Sequence, residues 1–472
     1  MAAKDVHHEG APIATRVPVR ASVTAGALAA VLATGTLAGC ASHSERMLPV
    51  RSALDAGEPR EAIRLLGREM DVAGEGDLPP EMGSDNALFV LDRATLQQSV
   101  AQFARSKRDF EAADKAIDML DLAHDAADSI GQYVFSGSSG KYQAPPYEKL
   151  LVNTLDMVNY LELRDLDGAR VEARRLAVMQ RYIADELHER DNAVLGLGGL
   201  LAGLTFEKSD QIDEALRWYD QALEFSGFDA LSEPVRALLP RGHYRSARLE
   251  QLEQPAKFRA PAPPSLEESG EGEILVVVGY GRVPHKIAMR IPIGLALTWH
   301  ANALAARDVD AANRLATQGL VTWINFPTLG HESAGYEAPS CTLDGEAVPL
   351  EPAVDVTSQV RAEWKKIEGK IIVSAITRLI ARYAAGSVIQ AAAGKNDLLG
   401  AVLSLGTQAT LAALDTPDTR SWETLPARVA VARVRVAAGK HAVRLEARGA
   451  VRTADVDVEK GGWAVVSLMA LR

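Results

Sequence analysis

The sequence predicts an α+β protein: an all-α half built from helical pairs over residues 49–252, then a smaller α+β region over residues 273–472 with antiparallel strands and two long apolar helices. Three observations carry this. Apolar residues in the first half recur at helical spacing around a repeated small residue. In the second half, β-branched runs such as Ile274–Val278 sit between Gly-rich turns. Between them, residues 253–272 gather Pro255, Pro261, Pro263 and Pro264 ahead of Glu and Gly, the composition of a linker.

Taken in order, residues 1–39 are expected to be a signal peptide. Arg16 and Arg20 flank an uncharged run, Ala21 to Thr36, that is short for a membrane span and ends in small residues. The stretch Leu37-Ala38-Gly39-Cys40 resembles the lipobox of bacterial lipoproteins. That resemblance implies that Cys40 is lipidated on its sulfur and becomes the first mature residue. Ala41 and Ser42 follow without the Asp that resembles an inner-membrane retention signal, so the resemblance implies the outer membrane, facing the periplasm. Residues 40–48 then serve as anchor and short tether, spanning at most roughly 28 Å before a first helix near Pro49.

Loss of residues 1–39 removes three basic and two acidic residues and takes the formal charge from −11 to −12. So acidic a chain is not expected to bind nucleic acid, and its overall charge argues against electrostatic adhesion to anionic lipid. The acyl chains would hold it instead, at roughly 0.8 kcal/mol per buried methylene.

The helical half reads as four pairs. Their second helices contain Ala62, Ala113, Ala169 and Ala215, each preceded three residues earlier by an apolar residue or Pro: Pro59, Phe110, Leu166 and Ile212. In three of them apolar or small residues follow at four and seven, and this pattern resembles the second helix of a tetratricopeptide repeat. Gly203 and Phe206 add the small and aromatic residues wanted in a first helix. The four Ala positions are 51, 56 and 46 residues apart, against the family's constant period of about 34. The resemblance implies stacked pairs with a concave surface for an extended peptide or helix.

Residues 131–151 interrupt this pattern and concentrate Tyr133, Phe135, Tyr142 and Tyr147, with Pro145-Pro146 forcing an extended entry into the next helix. These four rings are the partner-binding candidates, since Tyr beside Gly and Ser gives contact area at low entropic cost. Alternatively they plug the top of the helix stack. The segments YQAPPYEKLLVNT, LRDLDGARVEARR, DVTSQVRAEW, ITRLIARY and DTRSWETLPA together resemble a family of uncharacterised bacterial lipoproteins with tetratricopeptide-like repeats. The resemblance implies an envelope location and no particular reaction.

In the last 200 residues, Glu273–Gly281 reads as a buried strand and His285–Ile293 as a second strand or edge. Gly279-Tyr280-Gly281 lacks the remaining glycine of a dinucleotide loop and is expected to be a turn. Arg282, His285 and Lys286 beside it form a weak candidate anion site. Residues 320–329 read as a strand and Asp344-Gly345 as a hairpin turn. A helix is expected from Thr357 to about Ala393 and another from Asp397 to Ala413. The uncharged run Leu398–Leu414 is short for a span and is expected to pack on the sheet. The tail from Val429 is expected to form an antiparallel meander, its last strand Trp463–Leu471 central, with Arg420 and Trp422 in a loop over the sheet. With Cys40 lipidated, only Cys341 remains, so no intramolecular disulfide is expected and Cys341 is read as tolerated.

No catalytic, metal or cofactor constellation stands out, and no cofactor is expected. The expected function is therefore a non-catalytic outer-membrane lipoprotein that binds a protein or peptide partner in envelope assembly or peptidoglycan maintenance. The alternatives are an enzyme acting on cell-wall glycan or peptide, or a lipid-handling lipoprotein.

Overall fold

A computed structural model describes residues 41–83, 85–121, 142, 144–186, 192–253, 264–300, 306–317, 323–330, 337–392 and 417–472. Cys40, Tyr133, Phe135 and the expected helix at 397–413 lie outside the described residues. Among the described residues, eight helices lead the first half: α1 (His43–Asp55), α2 (Pro59–Glu69), α3 (Asn86–Ser99), α4 (Phe103–Asp121), α5 (Pro146–Glu162), α6 (Leu166–Glu186), α7 (Val194–Lys208) and α8 (Ile212–Phe225).

Helix α1 begins earlier than the expected Pro49. Ser42 caps it, its hydroxyl accepting from the Glu45 N–H at 3.4 Å, while the Glu45 carboxylate accepts from the Ser42 N–H at 2.7 Å. This reciprocal box satisfies two otherwise orphaned donors. The tether assigned to 40–48 therefore shrinks to Ala41 and the cap. Pro49 misled because Pro usually marks a helix start; here it lies inside the helix with its ring on the exposed face.

The helices pack in consecutive pairs, α1 with α2, α3 with α4, α5 with α6 and α7 with α8, and α5 also touches α3 and α7. Ala62, Ala113, Ala169 and Ala215 are all fully buried. The tightest approach is α7 against α8. A Cβ on Gly199 would lie 2.9 Å from the Ala222 nitrogen and the Trp218 carbonyl, so only glycine lets these backbones touch.

Short helices α9 (Ser232–Leu238), α10 (Ala247–Glu253) and α11 (Leu266–Ser269) lead to the second half. It contains β1 (Glu271–Tyr280), β2 (Lys286–Pro292), α12 (Ile293–His300), α13 (Ala306–Thr317), β3 (Trp323–Leu329), β4 (Ser340–Leu343), β5 (Glu346–Val348), β6 (Glu351–Asp355) and α14 (Val356–Ala392). Strands β7 (Arg428–Ala437), β8 (Gly439–Ala447), β9 (Ala450–Val458) and β10 (Trp463–Ala470) complete it. The β4–β5 turn is Asp344-Gly345, both at positive φ, as the sequence predicts.

The expected tail meander is corrected. The main sheet has the order β10-β1-β7-β6, with β10 parallel to β1, and a second sheet has the order β5-β4-β8-β9. The chain leaves the first sheet after Ala437 and enters the second through Gly439, at φ 144°. Strand β10 lies at the edge of its hydrogen-bonded order. It is apolar on both faces because helices cover one side and the second sheet the other. Leu275, Val277, Val429, Val431 and Val465 join the helical core. Ile274, Val276, Ala430, Ala432 and Val466 join the core between the sheets. The two halves of the sequence thus share one main core, in three layers.

Strands β2 and β3 form a separate antiparallel ribbon. With α12, α13 and the middle of α14 it makes a lobe around Ile291, Ile324, Phe326, Ile372 and Ile376. The 37-residue α14 starts in the main core at Val356 and Val360 and carries that lobe further along. Its first half is rich in Lys and Glu, so the expectation of a long apolar helix here is corrected. Among the described residues no helix is long and apolar enough to cross a membrane.

Candidate functional site

The inner face of the helical pairs is occupied by the chain's own segment 417–427. Pro417 and Pro426 bracket a stretch without helical periodicity, and its Trp422 and Thr424 backbone donors are taken up by side chains of the helices. Glu148 of α5 accepts the Trp422 N–H at 3.2 Å, and Asp92 of α3 accepts both the N–H and the hydroxyl of Thr424 at 2.9 Å. The Ser44 N–H of α1 donates to the Thr419 hydroxyl at 3.1 Å. Arg51 of α1 pairs with Glu423 at 2.5 Å. On the other side, the Val283 N–H donates to Leu425 and the Ala427 N–H to Gly281. The indole of Trp422 is fully buried, edge-on to Phe110 at 5.8 Å, and its N–H reaches the Thr95 hydroxyl at 3.1 Å. The sequence placed Trp422 and Arg420 in a loop over the sheet; they lie between sheet and helices.

This strap explains the aromatic candidates. Tyr142 and Tyr147 are only 3% and 5% exposed, and both hydroxyls donate to Glu148, the acceptor of the Trp422 amide. Burial raises both phenols well above their ordinary values, with Glu148 adding to the shift. As a surface for a partner these two residues are corrected: they plug the mouth of the seat holding the strap. Proline-directed entry at 145–146 looks the same in sequence whether the rings turn inward or outward.

The anion site is corrected as well. The Arg282 guanidinium is paired with Asp55 and hydrogen-bonds the Arg51 carbonyl at 3.4 Å. Burial, reinforced by Arg51 and Arg282, pushes His285 down to about 4, so it is neutral at pH 7. The charge of Lys286 opposes the burial that raises Glu148 and adds to Arg420 in lowering Asp418. These cations balance acids of the seat. Cys341 is buried between the sheets, and burial pushes its thiol up.

Burial, with Glu423 and Glu148 nearby, drives Asp92 well above the usual carboxylate range, and burial likewise raises Glu148 and Glu423. A carboxyl raised in the folded state binds its proton more tightly there than in the unfolded chain. Its stabilisation is full below the unfolded value and is lost as pH rises through the folded one. Asp92→Asn is therefore expected to gain on the native protein as pH rises from 4 to 9, by roughly 1.4 kcal/mol for each tenfold by which folding tightens the proton's binding. Urea denaturation of both proteins across that range measures it. Taking the difference cancels His285, whose depressed value acts in the opposite sense between about 4 and 6.5. A difference independent of pH would show Asp92 to be ionised in the fold.

With the inner face filled, the open surface lies outside. A groove of about 620 Å³ runs between α6 and α8 over Phe206, lined among others by Arg174, Ala177, Arg181, Arg217 and Trp218. Arg217 is paired with Glu214 at 2.5 Å. Arg174 and Arg181 are exposed, with no ion pair among the described residues. Along α6, Val171, Val178 and Tyr182 are 45%, 67% and 42% exposed at spacings of seven and four, so they share one stripe. The sequence held a signal for this stripe: these residues are out of phase with the buried Ala169, Ala173 and Leu176.

A second cleft, of about 1110 Å³, has a fully paired floor. Arg433 of β7 donates to Glu273 and Glu207 at 2.8 Å and to the Tyr219 hydroxyl at 2.9 Å, and Lys208 joins both carboxylates. Among the described residues no group of three or more His, Cys, Asp or Glu side chains is arranged to hold a metal ion. Comparison with protein-family models, with curated proteins and with solved structures finds no match.

Proposed function

We propose that the chain is a non-catalytic lipoprotein, held at the outer membrane by Cys40 and facing the periplasm, whose tetratricopeptide-like stack binds a protein partner in envelope assembly or peptidoglycan maintenance. The observation that carries it is the α6–α8 groove: an apolar floor of Phe206, Ala177 and Trp218 rimmed by the exposed Arg174 and Arg181, in a chain of net charge −11. Its complement is an acidic, partly apolar segment such as one face of a helix. The lipobox Leu37–Cys40 and the onset of folding at Ser42 support the anchor. The pairing of helices, with α3, α5 and α7 touching in series, supports the repeat-like description. The non-catalytic reading is supported by how the buried carboxylates are used. Asp92 and Glu148 hold backbone amides of the strap.

Photocrosslinking in cells from position 180, in the groove lining, tests this. The expected result is capture of one envelope protein, reduced about tenfold or more by Arg174→Glu with Arg181→Glu. Both arginines are exposed, so thermal unfolding should be unchanged. Capture that survives the double charge reversal would overturn the assignment of the groove.

A further inference from the structure

The lobe of β2, β3, α12, α13 and α14 extends past the end of the body at which α1 begins. Only Ala41 separates Cys40 from the capping Ser42, so at ~3.5 Å per residue the acylated sulfur stays within roughly 10 Å of the first turn of α1. That first turn also meets the N-terminus of α3, through Arg46 and Asp85 at 3.1 Å, and the start of the strap, through Ser44 and Thr419. Arg282 sits at the opposite end of α1, on Asp55, whereas the Lys286 N–H lies 3.5 Å from the Ser421 hydroxyl, between the strap's contacts to Ser44 and Arg51. The chain from Arg282 to Lys286 thus runs antiparallel to α1 toward the anchor. Strand β2 then continues for six more residues, about 20 Å at ~3.3 Å each, at least as far from the body as Cys40 can reach.

The far end of the ribbon is the Pro292–Trp323 rung, where α12 begins. Trp323 is 39% exposed and Leu295 of α12 is 41% exposed, and the Arg290 guanidinium stands 5.5 Å from the indole centroid. Charge is polarised toward this lobe. Strands β2 and β3, α12, α13 and residues 369–392 of α14 contain Lys286, Arg290, Arg307, Arg314, Lys370, Arg378 and Arg382 against Asp308 and Asp310, in a chain of net charge −11. Amphipathic Trp beside Arg, on a basic surface level with an acyl anchor, matches the headgroup layer of an anionic bilayer.

We propose that the ribbon end, with Trp323, Leu295 and Arg290, seats in the headgroup region of the bilayer that holds the acyl chains of Cys40. This rests on the lipid-anchored reading above. The acyl chains supply the affinity, and the ribbon fixes the tilt of the body, leaving the α6–α8 groove free of lipid.

The test uses the full-length chain purified from its native membrane and reconstituted in phosphatidylethanolamine–phosphatidylglycerol vesicles. An environment-sensitive dye is placed on Trp323→Cys or on Val451→Cys, each in a Cys341→Ser background. Val451 adjoins Arg452, which pairs with Glu162 at the far end of α5, away from the anchor. The expected result is a blue-shifted dye at 323, several-fold more quenched by a lipid-borne quencher than the dye at 451. Equal quenching at both sites in a protein that floats with the vesicles would overturn the seating while leaving the anchor intact. Failure to float, with Cys40 unmodified by mass spectrometry, would overturn the anchor and the seating with it.

Discussion

Replacing Trp422 with Ala is expected to destabilise the protein by about 4 kcal/mol, the range for deleting a fully buried large aromatic. The indole has no exposed surface, meets Phe110 edge-on and donates its N–H to Thr95. The lost side chain leaves a cavity between two helices and the sheet, and the Thr95 hydroxyl loses its donor. Trp422→Phe separates the two effects. It keeps most of the ring and loses the hydrogen bond, so its cost beyond the smaller ring volume should be about 1 kcal/mol. Denaturant unfolding measures both, and limited proteolysis should show the Ala variant nicked near the strap. A loss below about 1.5 kcal/mol for Trp422→Ala would mean that the strap contributes little to holding helices and sheet together.

The second large effect is expected at Arg433. This guanidinium is buried and serves Glu207, Glu273 and Tyr219 at once. Arg433→Met leaves two buried carboxylates with Lys208 as their remaining cation, and breaking such a group by removing one partner costs roughly 3–5 kcal/mol. Glu207 is held well below its ordinary value by Arg433 and Lys208, against the opposing effect of burial. For a carboxyl lowered in the fold, the stabilisation is present above the unfolded value, about 4.5, and is lost as pH falls through the folded one. The penalty of Arg433→Met should therefore shrink at acidic pH, where its orphaned carboxyls take up protons. Adding Glu207→Gln and Glu273→Gln should recover much of it at pH 7. If the triple variant is no more stable than Arg433→Met, packing of the arginine stem rather than its charge accounts for the loss.

Much of the fold was legible wherever local rules decide the outcome. Ala62, Ala113, Ala169 and Ala215 marked the second helices because a helix contact needs a small residue at its closest point, and Asp344-Gly345 marked its hairpin because both residues tolerate positive φ. The parallel pairing of β10 with β1 was not legible, since apolar residues on both faces of a strand report its coverage and not its neighbours. The site was harder still. The partners of Trp422 and Thr424 lie hundreds of residues earlier in the chain, and nothing in DTRSWETLPA names them. Tyr142 and Tyr147 were visible as a concentration of aromatics, but the direction in which they turn depends on that distant strap. An exposed apolar stripe on α6 left a local trace in the phase of Val171, Val178 and Tyr182.

The strap also sets the order in which the molecule can be finished. Ser44 bonds to Thr419, 375 positions later, so a chain synthesised N-terminus first has α1, α3 and α5 long before the residues that fill their inner face have been made. At about 5–20 residues per second, the interval between α5 and the strap is on the order of tens of seconds. Throughout it Phe110, Thr95, Asp92 and Glu148 face an empty seat, an apolar surface with unsatisfied acids at its centre. A truncation that stops short of Trp422 is therefore expected to yield an unfinished body exposed to proteolysis rather than a smaller domain, which limited proteolysis checks.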